Sequence, residues 1–296
     1  MSKSKEILLS LLIIVIFLAL SIYLFSSVST KASVFNGQRA FEDVEYQLGL
    51  GPRILGSAAH ENTAKWIISR MQNLNWEVYS QETIFSEAPV KNIIARRGTG
   101  TPWIIIASHY DSRIYADQDS IPEKQKLAVP GANDGASSVA ILLELARTLP
   151  VRLDKQIWLV FFDAEDNGNI NGFDWCLGSQ YFTQELIGKP DSVVILDMVG
   201  DKDLNIYMEG NSNQKLNQEI WDVATKLGYK QFIPSYKYNL MDDHIPFINA
   251  GITAVDIIDF DYPYWHTTQD TLDKVSADSL KVIGDTMLKW LELYSK

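Results

Sequence analysis

The chain has 296 residues, 46% of them apolar, and carries 37 Asp and Glu against 26 Lys and Arg, a formal charge of -11 at neutral pH. An acidic balance without basic clusters argues against nucleic acid as the partner. Its one cysteine, Cys176, rules out an intrachain disulfide framework, and the ordinary composition rules out a disordered or repeat-built chain.

Lys3 and Lys5 precede an uncharged apolar run over residues 7–25, long enough to cross a bilayer. Ala32 offers only a weak cleavage site, so an uncleaved signal anchor is favoured over a removed signal peptide. The two lysines ahead of the span place the N-terminus in the cytoplasm and the remainder outside. The expectation is a membrane-anchored extracytoplasmic protein, secreted if the segment is cut. Residues 1–33 then form anchor and linker, and 34–296 suffice for one large α/β domain.

Residues 35–50 show helical spacing, and Gly51-Pro52-Arg53 breaks it. An amphipathic helix resumes over 60–74, with His60 near its start read as a surface histidine. Strands follow over 76–85 and 90–96, then a buried strand over 103–108 that ends in His109-Tyr110-Asp111. A histidine and an acid two residues apart at a strand end suit a metal ligand and its orienting partner. After a polar loop, Asp134 lies among small residues just before a helix over 139–149, where the backbone can approach a ligand closely; a simple N-cap is the other reading.

Residues 157–162 are apolar without alternation, as in a strand covered on both faces, and the run stops at Asp163, Glu165 and Asp166. In α/β sheets ligands gather at such carboxyl ends. Adjacent carboxylates repel unless a cation or shared proton offsets the cost. The loop over 167–178 carries Phe173 and Trp175, which either line a substrate pocket or pack the loop down. Cys176 within it reads as a buried or partly exposed thiol rather than a nucleophile. A short helix over 180–187 precedes a buried strand over 192–196 that ends at Asp197. Next come a strand over 205–207, a helix over 216–227 closed by Gly228, and a short strand over 231–233. Asp242-Asp243-His244 opens a short helix over 245–249, a buried strand covers 252–258, and the loop after it holds Trp265 and His266. A helix over 277–294 closes the chain.

His109, Asp134, Asp166, Asp197 and His266 thus stand at edges of predicted elements. Histidine and carboxylate ligands without thiolates suit zinc. A zinc pair needs one bridging ligand, and Asp134 is the natural bridge. Glu165 is then left free for proton transfer.

With these motifs the sequence resembles the zinc aminopeptidases of metallopeptidase clan MH, including their glutaminyl cyclase branch. The matching stretches are His109-Tyr110-Asp111, Gly131-Ala132-Asn133-Asp134, Glu165-Asp166, Ile195-Leu196-Asp197 and Trp265-His266-Thr267. The resemblance implies a single domain with a mixed, mostly parallel sheet, helices on both faces, and the metal site over the carboxyl edge. Asp242-Asp243-His244-Ile245-Pro246-Phe247 and Trp265-His266 look like the cyclase branch, whereas the segment from His266 to Thr271 looks like the aminopeptidases. Asp166 departs from both branches, which usually have Glu there.

Under the cyclase resemblance one zinc sits on Asp134, Asp166 and His266, Asp242 hydrogen-bonds Glu165, and Trp265 walls the pocket for an N-terminal glutamine. Under the aminopeptidase resemblance two zinc ions use all five ligands, and Glu165 activates a shared water. Both act on free peptide N-termini. The remaining reading is a non-catalytic binding module of the same fold.

Overall fold

The computed structural model describes residues 34–294. The predicted membrane anchor lies outside them, and among the described residues no helix is long and apolar enough to cross a membrane. From Phe35 onward the chain forms one compact unit.

The elements run α1 Gly37–Leu50, α2 Ala58–Asn73, β1 Glu77–Phe85, β2 Ala88–Arg97, β3 Trp103–His109, α3 Ala136–Thr148, β4 Gln156–Phe162 and α4 Leu177–Glu185. They continue β5 Ser192–Asp197, β6 Ile206–Glu209, α5 Gln214–Leu227, β7 Phe232–Tyr238, α6 His244–Asn249, β8 Ala254–Ile258 and α7 Ala277–Leu293. Asn36, Ser57, Asn213 and Ser276 cap α1, α2, α5 and α7 through their side chains, and Gly228 ends α5 in the left-handed conformation. These are the residue types that satisfy helix-end groups.

Six strands pair in the order β1-β2-β4-β3-β5-β8. β1/β2 and β2/β4 are antiparallel, while β4/β3, β3/β5 and β5/β8 are parallel. The domain is therefore a single α/β unit with a mixed, mostly parallel sheet. The unbroken apolar runs of β3 and β4 lie at its centre because both of their faces are covered. Ile104, Ile106, Leu159 and Phe161 point into the core shared with α1, α3 and α7. The residues between them, Ile105, Ala107, Trp158, Val160 and Phe162, point to the opposite face with Phe182 of α4 and Phe247 of α6. That alternation of faces is the two-residue period of a strand.

Three boundaries differ from the sequence expectation by three residues or more. α3 starts at Ala136, three residues before its apolar rhythm begins, since Ala136, Ser137 and Ser138 are all fully buried against neighbours. α4 starts at Leu177, directly after Cys176 turns the chain in a left-handed conformation (φ 58°). β7 extends to Tyr238 through mostly exposed residues; it pairs only with β6 and carries no apolar alternation to find it by.

Candidate active site

The parallel strands deliver their ends to one edge. β3 ends on His109 and β5 on Asp197, and the chain leaving β4 carries Glu165 and Asp166. Three non-glycine residues there adopt left-handed backbone: Ala164 (φ 53°), Met198 (φ 46°) and His266 (φ 54°). Each such residue costs roughly 1–3 kcal/mol and persists where surrounding structure enforces it. These three aim Glu165, the end of β5 and the His266 ring.

The five predicted ligands converge as two triads that share Asp134: His109, Asp134 and Asp197, and Asp134, Asp166 and His266, with ligand atoms of each triad within 4.8 Å of one another. His109 Nε2 lies 3.1 Å from both Asp134 Oδ1 and Asp197 Oδ1. His266 Nε2 lies 2.8 Å from Asp166 Oδ1 and 3.6 Å from Asp134 Oδ2. The shorter Asp166 side chain therefore still reaches its histidine. Asp134 Oδ2 and both Asp166 oxygens are buried without a hydrogen-bond partner among the described residues. Buried carboxylates normally have donors, and a divalent cation is the partner this His and carboxylate set fits, zinc among the common ions.

Asp111 accepts the backbone N–H of Glu165 and of Asp166, each at 3.1 Å, and lies 3.4 Å from His109 Nδ1. It thus fixes the turn after β4 as well as facing the imidazole. Burial opposes a charged His109, yet Asp197, Asp111 and Asp134 outweigh it and hold the imidazole well above its ordinary range. Burial pushes Asp166 up to about 6 and Asp197 up to about 7. Gly135 lets α3 approach β3: a Cβ there would lie 2.6 Å from the His109 carbonyl oxygen.

Glu165 lies in neither triad. Burial raises its carboxyl well above the usual carboxylate range, despite the opposing pull of His109. Its Oε1 lies 3.5 Å from the Cys176 thiol, and Asp242 comes within 4.8 Å. The expected hydrogen bond between Asp242 and Glu165 is not made. Asp242 Oδ1 instead accepts the N–H of Asp243 at 2.5 Å, which turns the side chain toward its own helix start. Half-buried Trp265 stacks on His266 with ring centroids 3.8 Å apart, and half-buried Trp175 lies parallel to that ring at 5.9 Å. Both tryptophans border the histidine.

His60 is not a surface residue. It is buried, its Nε2 lies 2.7 Å from Asp163 Oδ1, and its ring stacks on Tyr110. The turn between β4 and Glu165 brings Asp163 inward, and a buried carboxylate recruits a partner.

Several supporting residues carried no local signal. Asp270 accepts the N–H of Asn133 at 2.8 Å and of Asp134 at 3.2 Å, and the Tyr262 hydroxyl donates to it at 2.6 Å. Buried Arg53 donates to the carbonyls of Pro130, Gly131 and Asp134. Arg113 donates to the Asp166 carbonyl at 3.1 Å and pairs with Asp117, which lies 3.6 Å from His266 Nδ1. A single acid four residues after His266 was the one visible hint of Asp270.

The loop bearing Trp265 and His266 is tied at its start by Asp259, which accepts the N–H of Asn205 at 2.8 Å and of Asp261 at 3.1 Å. Burial pushes the Asp259 carboxyl up to about 7. Between roughly pH 4 and 7 the folded chain therefore binds a proton that the unfolded chain has released, and stability falls as pH rises through that window. Asp259→Asn cannot titrate. Urea unfolding at pH 4.5 and 7.5 should show wild type losing on the order of 2 kcal/mol more than the variant; equal losses would count against a buried neutral Asp259.

The model of peptidase family M28 matches residues 92–291. Glutaminyl-peptide cyclotransferase of Drosophila melanogaster is 25% identical over 275 residues, spanning 78% of this chain and 75% of that protein. The crystal structure of Porphyromonas gingivalis glutaminyl cyclase superposes with a TM-score of 0.83 at 32% identity, covering 88% of this chain and 99% of that one. A Zn-dependent exopeptidase from Parabacteroides distasonis gives 0.81 at 28% identity, covering 89% and 100%.

Proposed function

Because the chain belongs to peptidase family M28 and is an enzyme of that family, we propose that it acts on free peptide N-termini as a zinc-dependent glutaminyl-peptide cyclotransferase. It closes an N-terminal glutamine to pyroglutamate with release of ammonia.

The observation that carries the cyclase reading is Trp265 stacked on His266 with ring centroids 3.8 Å apart, the Trp-His pair by which the sequence resembles the cyclase branch. Asp134, Asp166 and His266 form a complete ligand triad. One zinc on that triad would act as a Lewis acid toward the glutamine side-chain carbonyl.

The remaining chemistry belongs to the chain. Glu165 accepts a proton from the substrate's α-amine as that nitrogen attacks the side-chain carbonyl carbon, and returns it to the departing amide nitrogen, which leaves as ammonia. No external water enters the bond-making step. Asp242 and Asp243, both buried and both pushing the Glu165 carboxyl up, keep the proton local by disfavouring a second charge beside it. Trp265 and Trp175 flank His266 and wall the glutamine pocket. We place this domain outside the cytoplasm, on the strength of the lysine-flanked apolar run over residues 7–25.

The aminopeptidase reading stays attached to the shared Asp134, since both triads are geometrically complete. Gln-naphthylamide and Leu-naphthylamide separate the two. The expected result is pyroglutamyl-naphthylamide and ammonia from the first and no cleavage of the second. Free naphthylamine from Leu-naphthylamide, without cyclised product, would replace this reading with the peptidase.

A further inference from the structure

Beside Glu165, and sharing no member with either triad, β6, β8 and the start of α6 bring together Glu209, Asp256, Asp242, Asp243 and His244. Asp243, His244 and Asp256 have no exposed surface, and Glu209 and Asp242 are nearly as deep. Four acids in one buried cluster repel strongly, and His244 is the one basic side chain among them. Such a cluster must be neutralised by protons or by a cation.

The hydrogen bonds tell which. Glu209 is saturated: Oε1 accepts the N–H of Asn211 at 3.0 Å and of Leu240 at 2.9 Å, and Oε2 accepts the N–H and the hydroxyl of Ser212, both at 2.8 Å. Its Oε2 lies 3.1 Å from His244 Nε2. His244 Nδ1 faces the other way, 3.8 Å from Asp256 Oδ2. That gap is too long for a hydrogen bond, but ordinary for two ligands on one ion whose bonds are about 2.0–2.2 Å. Both His244 ring nitrogens, both Asp256 oxygens and Asp242 Oδ2 have no hydrogen-bond partner among the described residues. A proton shared by Asp242 and Asp256 would calm that pair and still leave Nδ1 facing nothing.

We propose that Asp242, His244 and Asp256, whose ligand atoms lie within 4.8 Å of one another, form a further metal site that takes one divalent ion of the zinc class. The arrangement of carboxylate, histidine and metal, with Glu209 orienting the imidazole, is the usual outer support of a ligating histidine. Mixed nitrogen and oxygen donors without a thiolate favour zinc or a neighbouring transition ion over calcium or magnesium. The ion ties β6, β8 and α6 together, and fixes Asp242 beside Glu165. Its role is structural and positioning, because none of its ligands belongs to the two triads at the sheet edge.

The test is anomalous diffraction from crystals of the full-length wild-type chain soaked in saturating zinc, with data on both sides of the zinc edge. A peak flanked by His244 Nδ1, Asp242 and Asp256 is expected, in addition to one at Asp134, Asp166 and His266. No peak at His244 would overturn the proposal, whatever the sheet edge holds, and would assign the cluster to protons. Metal analysis gives a second reading: Asp256→Asn and His244→Gln should each bind one zinc equivalent fewer than wild type, and an unchanged count overturns the site. If those variants fail to fold, the wild-type map decides. Turnover of Gln-naphthylamide is recorded on the same preparation, so loss of the cyclase reading and loss of this site are read separately.

Discussion

Glu165→Gln should lower kcat about 10³-fold, within the roughly 10²–10⁴-fold reach of general acid–base catalysis, while zinc content stays at the wild-type level. The two outcomes belong together because Glu165 sits in neither ligand triad, although its neighbour Asp166 does. The amide keeps the shape of the side chain and the approach of the Cys176 thiol, but neither accepts nor returns a proton near neutral pH. Burial penalises a charge at Glu165, so a neutral amide of the same shape there should not unsettle the fold. Steady-state rates and metal analysis on one preparation check both halves. A variant that lost zinc along with activity would make Glu165 a ligand, and one that kept its rate would leave the reaction without its proton carrier. The prediction is the same for cyclisation and for peptide hydrolysis, because either reaction must move a proton between a nucleophile and a leaving nitrogen.

Of the five candidate ligands, His109, Asp166 and Asp197 stand out in the sequence because they end or follow strong apolar runs. β3 and β5 are apolar runs that end on His109 and Asp197, and the run of β4 breaks into Asp163, Glu165 and Asp166. A buried strand that ends in a charge advertises its own function. Residues that hold the ligands in place advertise nothing, because their partners are far along the chain. Asp270 meets Asn133 across 137 positions, and Arg53 meets Gly131 across 78. His60 looked like any polar residue at a helix start, since its partner Asp163 lies 103 positions away. Asp242 was expected to hydrogen-bond Glu165 and lies within 4.8 Å of it, but its orientation depends on the turn into α6, where the Asp243 N–H takes its oxygen. Periodicity failed in the same way for β7, an edge strand that buries almost nothing, and for the start of α3, where small residues pack without a rhythm. What sequence pattern captures is burial along one element; what it misses is pairing between elements.

Arg53→Met should be the most destabilising single change around the site, at about 3–5 kcal/mol, the range for stripping one partner from a buried charge cluster. For a domain of this size that corresponds to a fall in Tm of roughly 6–20 °C. Arg53 has no exposed surface. Its guanidinium donates to Pro130 at 2.5 Å, to Gly131 at 2.6 Å and to Asp134 at 3.2 Å, so one side chain satisfies three carbonyls of the segment that presents Asp134. Burial pulls its pKa down, while Asp270, Asp134, Asp111 and Asp166 pull it up. Those four acids lose a permanent positive charge in the variant, and the carbonyls lose their donors together. The deficit should shrink when zinc is added, because a cation bound to the folded state alone stabilises it and also supplies part of the missing charge. Arg53→Lys should fall between the two, since an ammonium restores the charge but not the planar fork that spans separate carbonyls. Thermal unfolding of the three chains, with chelator and with zinc, checks the order. An Arg53→Met chain within about 1 kcal/mol of wild type in chelator would mean that the Asp134 segment holds its shape without the guanidinium, and the assembly of both triads would then rest on Asp270 and Gly135.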